Sequence, residues 1–260
     1  MKNATSNQAA NYNLLYVYFI CLVAALGGLM FGFDLGIITG VIPYIEYQFS
    51  LSGFSLGLVV AIFELGAMAG ALSTARIADK YGRKKTLIAC ALMLTVTAVG
   101  VAFASGAVLL AIWRFAQGIC VGAASVLAPM YIAEVSPAKV RGRLVSIYQL
   151  TIILGILLAS FCNFYFGDND LSSTNWRYMF LSALVPSIIF LVLLFFIPES
   201  PRWLIIQSAK EEEAERILLK INNGNEVRSK KEILEIKNSI ANVNSRSRIA
   251  FKTLHSVSHL

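Results

Sequence analysis

Charged residues are scarce in this sequence: Asp, Glu, Lys and Arg together make up 14% of its 260 residues. A soluble domain carries about 25% charged residues, so the composition argues against a soluble fold. The four cysteines form no CxxC pair and lie in apolar segments, which argues against a zinc or disulfide framework. The two histidines lie within the last six residues, so a histidine metal site is not expected.

Sequence signatures of catalysis and of nucleotide hydrolysis are also missing. The sequence contains no GxxxxGK[ST] phosphate loop, which argues against an ATP-driven pump. It shows no arrangement of nucleophile, general base and general acid, so a membrane enzyme is the least favoured class. We therefore expect no catalytic residue, no metal and no cofactor.

What the sequence has in excess is apolar length, with 57% hydrophobic residues and a mean hydropathy of +0.68. The apolar residues fall in blocks of about 20, the length needed to cross a bilayer. The first block begins at Leu14 and continues past Asp34 to Ile45, which is too long for a secretory signal. The pattern predicts an all-α membrane protein with a domain of six transmembrane helices at 14–197. The six predicted spans are 14–45, 54–75, 86–105, 107–131, 144–166 and 179–197.

The two ends of the chain are polar. Residues 1–13 are rich in Asn, Ser, Thr and Gln and are predicted to form a disordered cytoplasmic tail. Residues 198–260 are predicted to form a cytoplasmic segment that contains two short amphipathic helices. Apolar residues at helical spacing mark the faces of these helices: Ala214, Ile217, Leu218 and Ile221 in the first, and Ile233, Ile236 and Ile240 in the second.

The net charge of +7 follows from where the basic residues lie. Twenty of the 22 lysines and arginines fall in the N-terminal tail, in 76–85, in 138–143 or after residue 198. Lysine and arginine accumulate on the cytoplasmic side of membrane proteins, so both termini are predicted to be cytoplasmic. An even number of spans agrees with that orientation. The topology explains the basic charge, and no nucleic-acid partner is expected.

Three ionisable residues fall inside predicted spans, where they are costly and are functional hypotheses by default: Asp34, Glu64 and Arg114. At about 1.5 Å per residue, Asp34 lies roughly 16 Å and Arg114 roughly 10 Å below the outer ends of their spans. These depths are similar enough for the two side chains to pair. Burial disfavours a charged carboxyl and a nearby arginine favours it, so a pair that opens and closes could exchange a proton. The alternative is a permanent structural ion pair.

Glu64 comes just before Gly66 and Gly70, a small-residue pattern that lets helices approach closely. It either lines a cavity or is hydrogen-bonded between helices. In the fifth span, six residues share one face by 3.6-residue spacing. They are Gln149, Ile152, Ile153, Ile156, Ser160 and Asn163. Amides both donate and accept hydrogen bonds, so this face suits a ligand with hydroxyls and apolar ring faces. The alternative is hydrogen bonding between helices.

Several short motifs occur in a fixed order along the predicted spans. ADKYGRKK occupies 78–85 in the basic loop between spans two and three, and FGFDLGIITG occupies 31–40. PMYIAEVSP follows at 129–137, RGR at 141–143, Gln149-Leu150 in span five and PESPRWL at 198–204. Together these motifs resemble the major facilitator superfamily and, within it, the sugar porter family, over nearly the whole chain.

The resemblance implies the N-terminal half of the major facilitator fold, built as a 3+3 inverted repeat, in the plasma (inner) membrane. It implies a carrier for a sugar or polyol, proton-linked or facilitative, that works by alternating access in the lipid bilayer. Its proton site falls on Asp34 with Arg114, and its sugar contacts fall on Gln149, Ile152 and Ile156 with Phe31 nearby. Asn163 extends the same face of the fifth span.

The resemblance also implies a cytoplasmic charge network that latches that side in the outward-facing state through charge-assisted bonds. The network falls on Asp79, Arg83, Glu134, Arg141, Glu199 and Arg202. The alternative is that these residues are topology signals and solvated loop charges. The two tail helices match the family's intracellular helical domain.

The sequence departs from the family in two respects. Ala75 stands where the loop motif usually has Gly, and the chain has six predicted spans where members have about twelve. The leading expectation is a sugar:proton symporter half that works with a missing C-terminal six-helix half. The alternative is a non-transporting sensor or an inactive truncated remnant.

Overall fold

The computed structural model describes residues 12–172, 174–207 and 210–257, with side chains to residue 241. Most of the predicted tail at 1–13 lies outside this range. Five long helices come first, and each covers one of the predicted spans, except that α3 ends three residues before the predicted end of its span at 105. They are α1 (Leu14–Gln48), α2 (Gly53–Tyr81), α3 (Arg83–Ala102), α4 (Ala107–Val135) and α5 (Arg141–Phe166).

The predicted sixth span is divided into α6 (Asn175–Ser182) and α7 (Leu184–Leu194). The cause is Pro186, which has no N–H to donate and whose ring crowds the carbonyl four residues earlier. Counting this pair as one, six candidate spans in the described chain are long and apolar enough to cross a membrane. The number of spans agrees with the prediction.

The helices extend beyond the predicted spans at the polar ends. Helix α2 continues six residues past the expected end at Ala75 and stops where Gly82 adopts a φ of 100°. The apolar stretch of the sequence marks the part of the helix that lies in the hydrocarbon layer, whereas the helix itself ends only where the backbone turns. The basic loop therefore consists largely of the last turns of α2 and the first turn of α3.

Two seams of glycines hold the long helices together. A Cβ at Gly32 would collide with the backbone of Ile152, and one at Gly155 would collide with Leu29, so α1 and α5 touch backbone to backbone. We call this contact the first glycine seam. A second glycine seam joins α2 to α4, where Gly66, Gly70, Gly118 and Gly122 make the same kind of contact. Small residues allow this approach in membranes.

The two seams relate corresponding helices of the two three-helix repeats. In a 3+3 inverted repeat, α1 corresponds to α4 and α2 corresponds to α5. The α1–α5 contact is therefore the counterpart of the α4–α2 contact, and both use glycine.

The chain divides into two compact units, Tyr18–Glu199 and the described residues on either side of it. The second unit holds α8 (Pro201–Ile206), α9 (Glu211–Ile221) and α10 (Glu226–Val257). The predicted apolar face of α9 is buried through Ala214, Ile217, Leu218 and Ile221. Two short helices were expected here, but the structure adds α8, and α10 has 32 residues.

The segment before α1 is bound to the turn after α9 within this second unit. The backbone N–H of Asn13 donates to the carbonyl of Ile221 at 2.9 Å. The Arg228 guanidinium lies 3.8 Å from the Tyr12 ring centre and donates to the Tyr12 hydroxyl. Residues 12 and 13, which fell in the predicted tail, thus have defined partners.

Candidate functional site

The structure brings Asp34 on α1 and Arg114 on α4 into direct contact. Nη1 of Arg114 donates to Oδ1 of Asp34 at 2.6 Å. Their side chains are 4% and 2% exposed, so the pair is isolated from solvent. The contact that their similar depths made possible is present, and its role in proton coupling remains a prediction.

Aromatic rings and an amide complete the surroundings of Arg114. Its guanidinium carbon lies 4.3 Å from the Phe63 ring centre and 5.8 Å from that of Phe180. Nη1 also reaches Oε1 of Gln117 at 3.4 Å. The sequence reasoning missed these neighbours. Gln117 lies three residues after Arg114 and so shares its helix face, which was the available signal.

The pair is incompletely hydrogen-bonded. Among the described residues, Oδ2 of Asp34 and Nε of Arg114 are buried and have no hydrogen-bond partner. A buried charge without its full set of hydrogen bonds is costly, and the cost falls when the charge is neutralised. Oδ2 is therefore an oxygen on which a proton can be placed without breaking an existing hydrogen bond.

The predicted ligand face of α5 is open for most of its length. Gln149 and Ile156 are exposed and Ile152 is half-buried. On α1, Phe31 is half-buried and precedes Gly32, whose close contact with Ile152 brings the two helices together. The contact at Gly32 thus joins the segment of α1 that carries Phe31 to the segment of α5 that carries Ile152.

Asn163, on the same face of α5, forms a hydrogen bond to the neighbouring helix α1. Its Nδ2 donates to the carbonyl of Gly36 at 2.9 Å, and its side chain fills the space that a Cβ at Gly40 would need. The amide hydrogen bond therefore joins α1 to α5. At this one position the geometry favours the alternative of hydrogen bonding between helices.

The second polar cluster surrounds Arg83 at the start of α3. Its Nε and Nη2 bond the carboxylate of Glu134 at 3.1 and 3.2 Å. Its Nη1 bonds the Ala78 carbonyl at 3.1 Å and Asp79 at 3.0 Å. Such a forked arginine–carboxylate pair fixes orientation as well as charge. It links the α2–α3 loop to α4.

Glu199 joins this cluster through the backbone. Its Oε1 accepts from the N–H groups of Arg83 and Lys84 at 2.9 and 3.0 Å. The carboxylate therefore occupies the positive N-terminal end of α3, where Gly82 offers no side-chain cap. The resemblance pointed to Glu199 but gave no hint of this capping contact.

The two remaining arginines of the predicted network are Arg141 and Arg202. Nη2 of Arg141 donates to the carbonyl of Ser136 at 3.4 Å, a contact within its own loop. Arg202 is exposed and belongs to the other compact unit. Glu64 is exposed on α2, next to the Phe63 that covers Arg114.

Comparison with known proteins shows extensive similarity to one family. The family profile described as "Sugar (and other) transporter" matches residues 20–259. The glucose transport protein of Synechocystis is 39% identical over 86% of this chain and 50% of its own length. The galactose-proton symporter of Escherichia coli K12 is 37% identical over 88% of this chain and 48% of its own length.

A solved structure of the proton:xylose symporter XylE of E. coli, bound to 6-bromo-6-deoxy-D-glucose, has the same fold. Its TM-score is 0.83 at 37% identity, covering 89% of this chain and 54% of XylE. The chain thus spans about half the length of the relatives it matches.

Proposed function

The chain belongs to the sugar porter family of the major facilitator superfamily, whose members are transporters and not enzymes, and on this basis we propose that it is the N-terminal half of a sugar or polyol carrier. It supplies the proton-coupling pair and part of the sugar site, and a second six-helix half supplies the rest. Transport proceeds by alternating access around a site near the middle of the bilayer.

The buried Asp34–Arg114 pair is the observation that carries the proposal. Oδ1 holds Arg114, and Oδ2 is the oxygen that takes the proton. Protonation neutralises the carboxyl and weakens its bond to the guanidinium, so α1 is released from α4. Loss of the proton on the opposite side restores the pair. The sugar then moves uphill only together with a proton, which is symport.

The open face of α5 supplies the sugar contacts in this proposal. The Gln149 amide donates to one sugar hydroxyl and accepts from another. Ile152, Ile156 and Phe31 pack against the C–H face of the ring. The relatives act on galactose, glucose and xylose by their names, which supports a monosaccharide-sized substrate.

The cluster around Arg83 serves as the latch on the side of the membrane that carries the basic loops. Arg83, Glu134, Asp79 and Glu199 are already joined within this half. Arg141 and Arg202 complete the latch once the second half is present. Release of the latch opens the side of the membrane that carries the basic loops.

The carrier lies in the plasma membrane with both termini in the cytoplasm. The basic loops at 76–85 and 138–143 and the basic segment after 198 support this orientation. The bilayer surrounds the spans, and no nucleic acid is involved.

Counterflow of labelled hexose in proteoliposomes tests this function. The chain is reconstituted alone and together with the second six-helix half of the galactose-proton symporter. We expect no exchange from the chain alone and exchange from the pair. Asp34→Asn in the pair is expected to retain exchange but to lower the accumulation ratio driven by a proton gradient to about one. Lys139→Gln, in an exposed loop, is the matched control and retains accumulation.

Two results would contradict the proposal. Uphill uptake that is unchanged in Asp34→Asn would remove this residue from proton coupling. A membrane-inserted, associated pair of halves that exchanges no sugar would favour the non-transporting sensor or the inactive remnant.

A further inference from the structure

An apolar cavity of about 460 Å³ lies between α2, α3 and α4, away from the Asp34–Arg114 pair and from the exposed face of α5. Its walls include Ile77, Ala89, Cys90 and Met93. Ile77 and Met93 are both 43% exposed, so the cavity is a groove that opens on the side of the helix bundle. Neither the proton pair nor the sugar contacts use these residues.

Polar groups lie at defined positions in this groove. Lys85 and Tyr81 line it where the basic loop begins, and the Lys80 ammonium lies 5.1 Å from the Tyr81 ring centre. Thr74 lines the groove deeper inside. Its hydroxyl belongs to a side chain that is 1% exposed, and it has no hydrogen-bond partner among the described residues. The charge of the groove therefore lies at the end next to the basic loop.

The groove runs from the membrane surface toward the membrane interior. Lys85 lies in the first turn of α3, and Met93 is eight residues further along, which is about 12 Å deeper. The charged end therefore lies at the level of lipid headgroups and the apolar walls lie at the level of acyl chains. Basic pockets between transmembrane helices bind anionic headgroups.

We propose that this groove binds one anionic phospholipid. Lys85 holds its phosphate, and an acyl chain fills the space beside Ala89 and Met93. The positive charge of the loop matches the negative charge of the lipid. No bond is made or broken.

A lipid fits this groove better than a second protein half does. The groove face of α2 carries Thr74, Ile77 and Tyr81, whereas its large exposed apolar residues Leu65 and Leu72 lie about 150° away around the helix. A protein that covers the face of α2 with Leu65 and Leu72 leaves the groove open to the bilayer.

Native mass spectrometry of the purified chain tests the headgroup contact. The chain is released from mild detergent with equal amounts of palmitoyl-oleoyl phosphatidylglycerol and phosphatidylcholine, and the two adducts are counted. We expect a phosphatidylglycerol preference of about fivefold, the effect of one charge at a membrane surface. Lys85→Gln is expected to abolish the preference. Lys139→Gln loses the same charge in a different exposed loop and is expected to keep it.

A second pair of variants tests the acyl-chain contact. Ala89→Phe fills the groove and is expected to lower the adducts of both lipids. Ala75→Phe adds the same bulk to an exposed position of α2 outside the groove and is expected to leave both unchanged. Circular dichroism confirms that each variant keeps its helices.

Equal adducts of both lipids on the unaltered chain would overturn the proposal. An undiminished preference in Lys85→Gln, or undiminished adducts in folded Ala89→Phe, would also overturn it. These measurements need no transport and no second half, so they stand independently of the carrier function proposed above.

Discussion

Arg114 and Arg83 are both buried arginines that bond a carboxylate on another helix, but their surroundings differ. Arg114 has one short bond to Asp34, one long contact to Gln117 and aromatic rings on its remaining surface. Arg83 donates through three side-chain nitrogens to Glu134, Ala78 and Asp79. One guanidinium is sparsely hydrogen-bonded and the other is almost saturated.

The difference indicates which pair can change state. A saturated cluster loses several hydrogen bonds when it opens, so it holds one arrangement until a larger movement breaks it. A pair with a single strong bond and an unpartnered carboxylate oxygen responds to one proton. We therefore interpret the Arg83 cluster as a latch and the Asp34–Arg114 pair as the proton-sensitive element.

Asp34→Asn is expected to give the largest loss of stability because it leaves a buried arginine charge without a counter-charge. The expected cost is about 3 kcal/mol in free energy of unfolding. Asp34→Asn combined with Arg114→Gln is expected to cost less than Asp34→Asn alone, since no buried charge remains. Titration with SDS, followed by circular dichroism, measures both. An equal or larger loss in the double variant would show that the unpaired buried charge is not the main cause of the loss.

Arg83→Gln is expected to cause the second-largest loss of stability. It removes the forked bond to Glu134, and a hydrogen bond to a charged group contributes about 1.5–3 kcal/mol. The exposure of Asp79 and the solvent near the loop limit the loss, so we expect about 2 kcal/mol. Arg83→Lys keeps the charge without the fork and is expected to recover less than half. Full recovery of stability by lysine would mean that the positive charge alone stabilises the cluster. The same SDS titration measures both variants.

Glu199→Gln is expected to have a smaller effect. The amide oxygen can still accept from the N–H groups of Arg83 and Lys84, but the negative charge at the start of α3 is lost. A charge at a helix N-terminus contributes about 0.3–1 kcal/mol, so a loss of that size is expected. Glu199→Ala removes the acceptor as well and serves as the comparison. Identical losses in the two variants would argue that the hydrogen bonds contribute nothing.

Gln149→Ala is expected to leave unfolding unchanged because the side chain is exposed. In the two-half carrier it is expected to raise KM for sugar about tenfold, the effect of one lost hydrogen-bonding group of about 1.4 kcal/mol. Concentration-dependent counterflow measures this. Asn163→Ala should behave in the opposite way, losing stability through its bond to Gly36 while KM changes little. If Gln149→Ala lowered stability and Asn163→Ala raised KM instead, Asn163 would be the sugar contact and Gln149 would join the helices.

Hydropathy and charge predicted the number of spans, and the similar depths of two charged residues showed that an Asp34–Arg114 contact was possible. Both are strong signals, since a bilayer selects sharply on apolar length and on buried charge. The contacts that were missed are those that depend on how helices meet. The spacing of Asn163 placed it correctly on a face, but only packing shows that its amide reaches Gly36.

Contacts through the backbone could not be predicted from the sequence either. Glu199 accepts from two N–H groups at a helix start 115 residues away, and side-chain chemistry gives no sign of such a partner. The break between α6 and α7 did have a signal in Pro186, but the strong hydropathy of 179–197 concealed it. Apolar length predicts where a segment lies and says little about whether its helix is continuous.

The two glycine seams limit how this protein can diversify. At Gly32, Gly118 and Gly155, where an added Cβ meets backbone, even alanine is too large, so a change on one helix has no compensating change on the other. Selection for a new cargo therefore has to act elsewhere. The side chains of Gln149 and Ile156 on α5 are exposed, and a change of side chain there leaves the backbone contacts of both seams in place. Evolutionary freedom in this chain is therefore concentrated on the surface that we propose as the sugar contact.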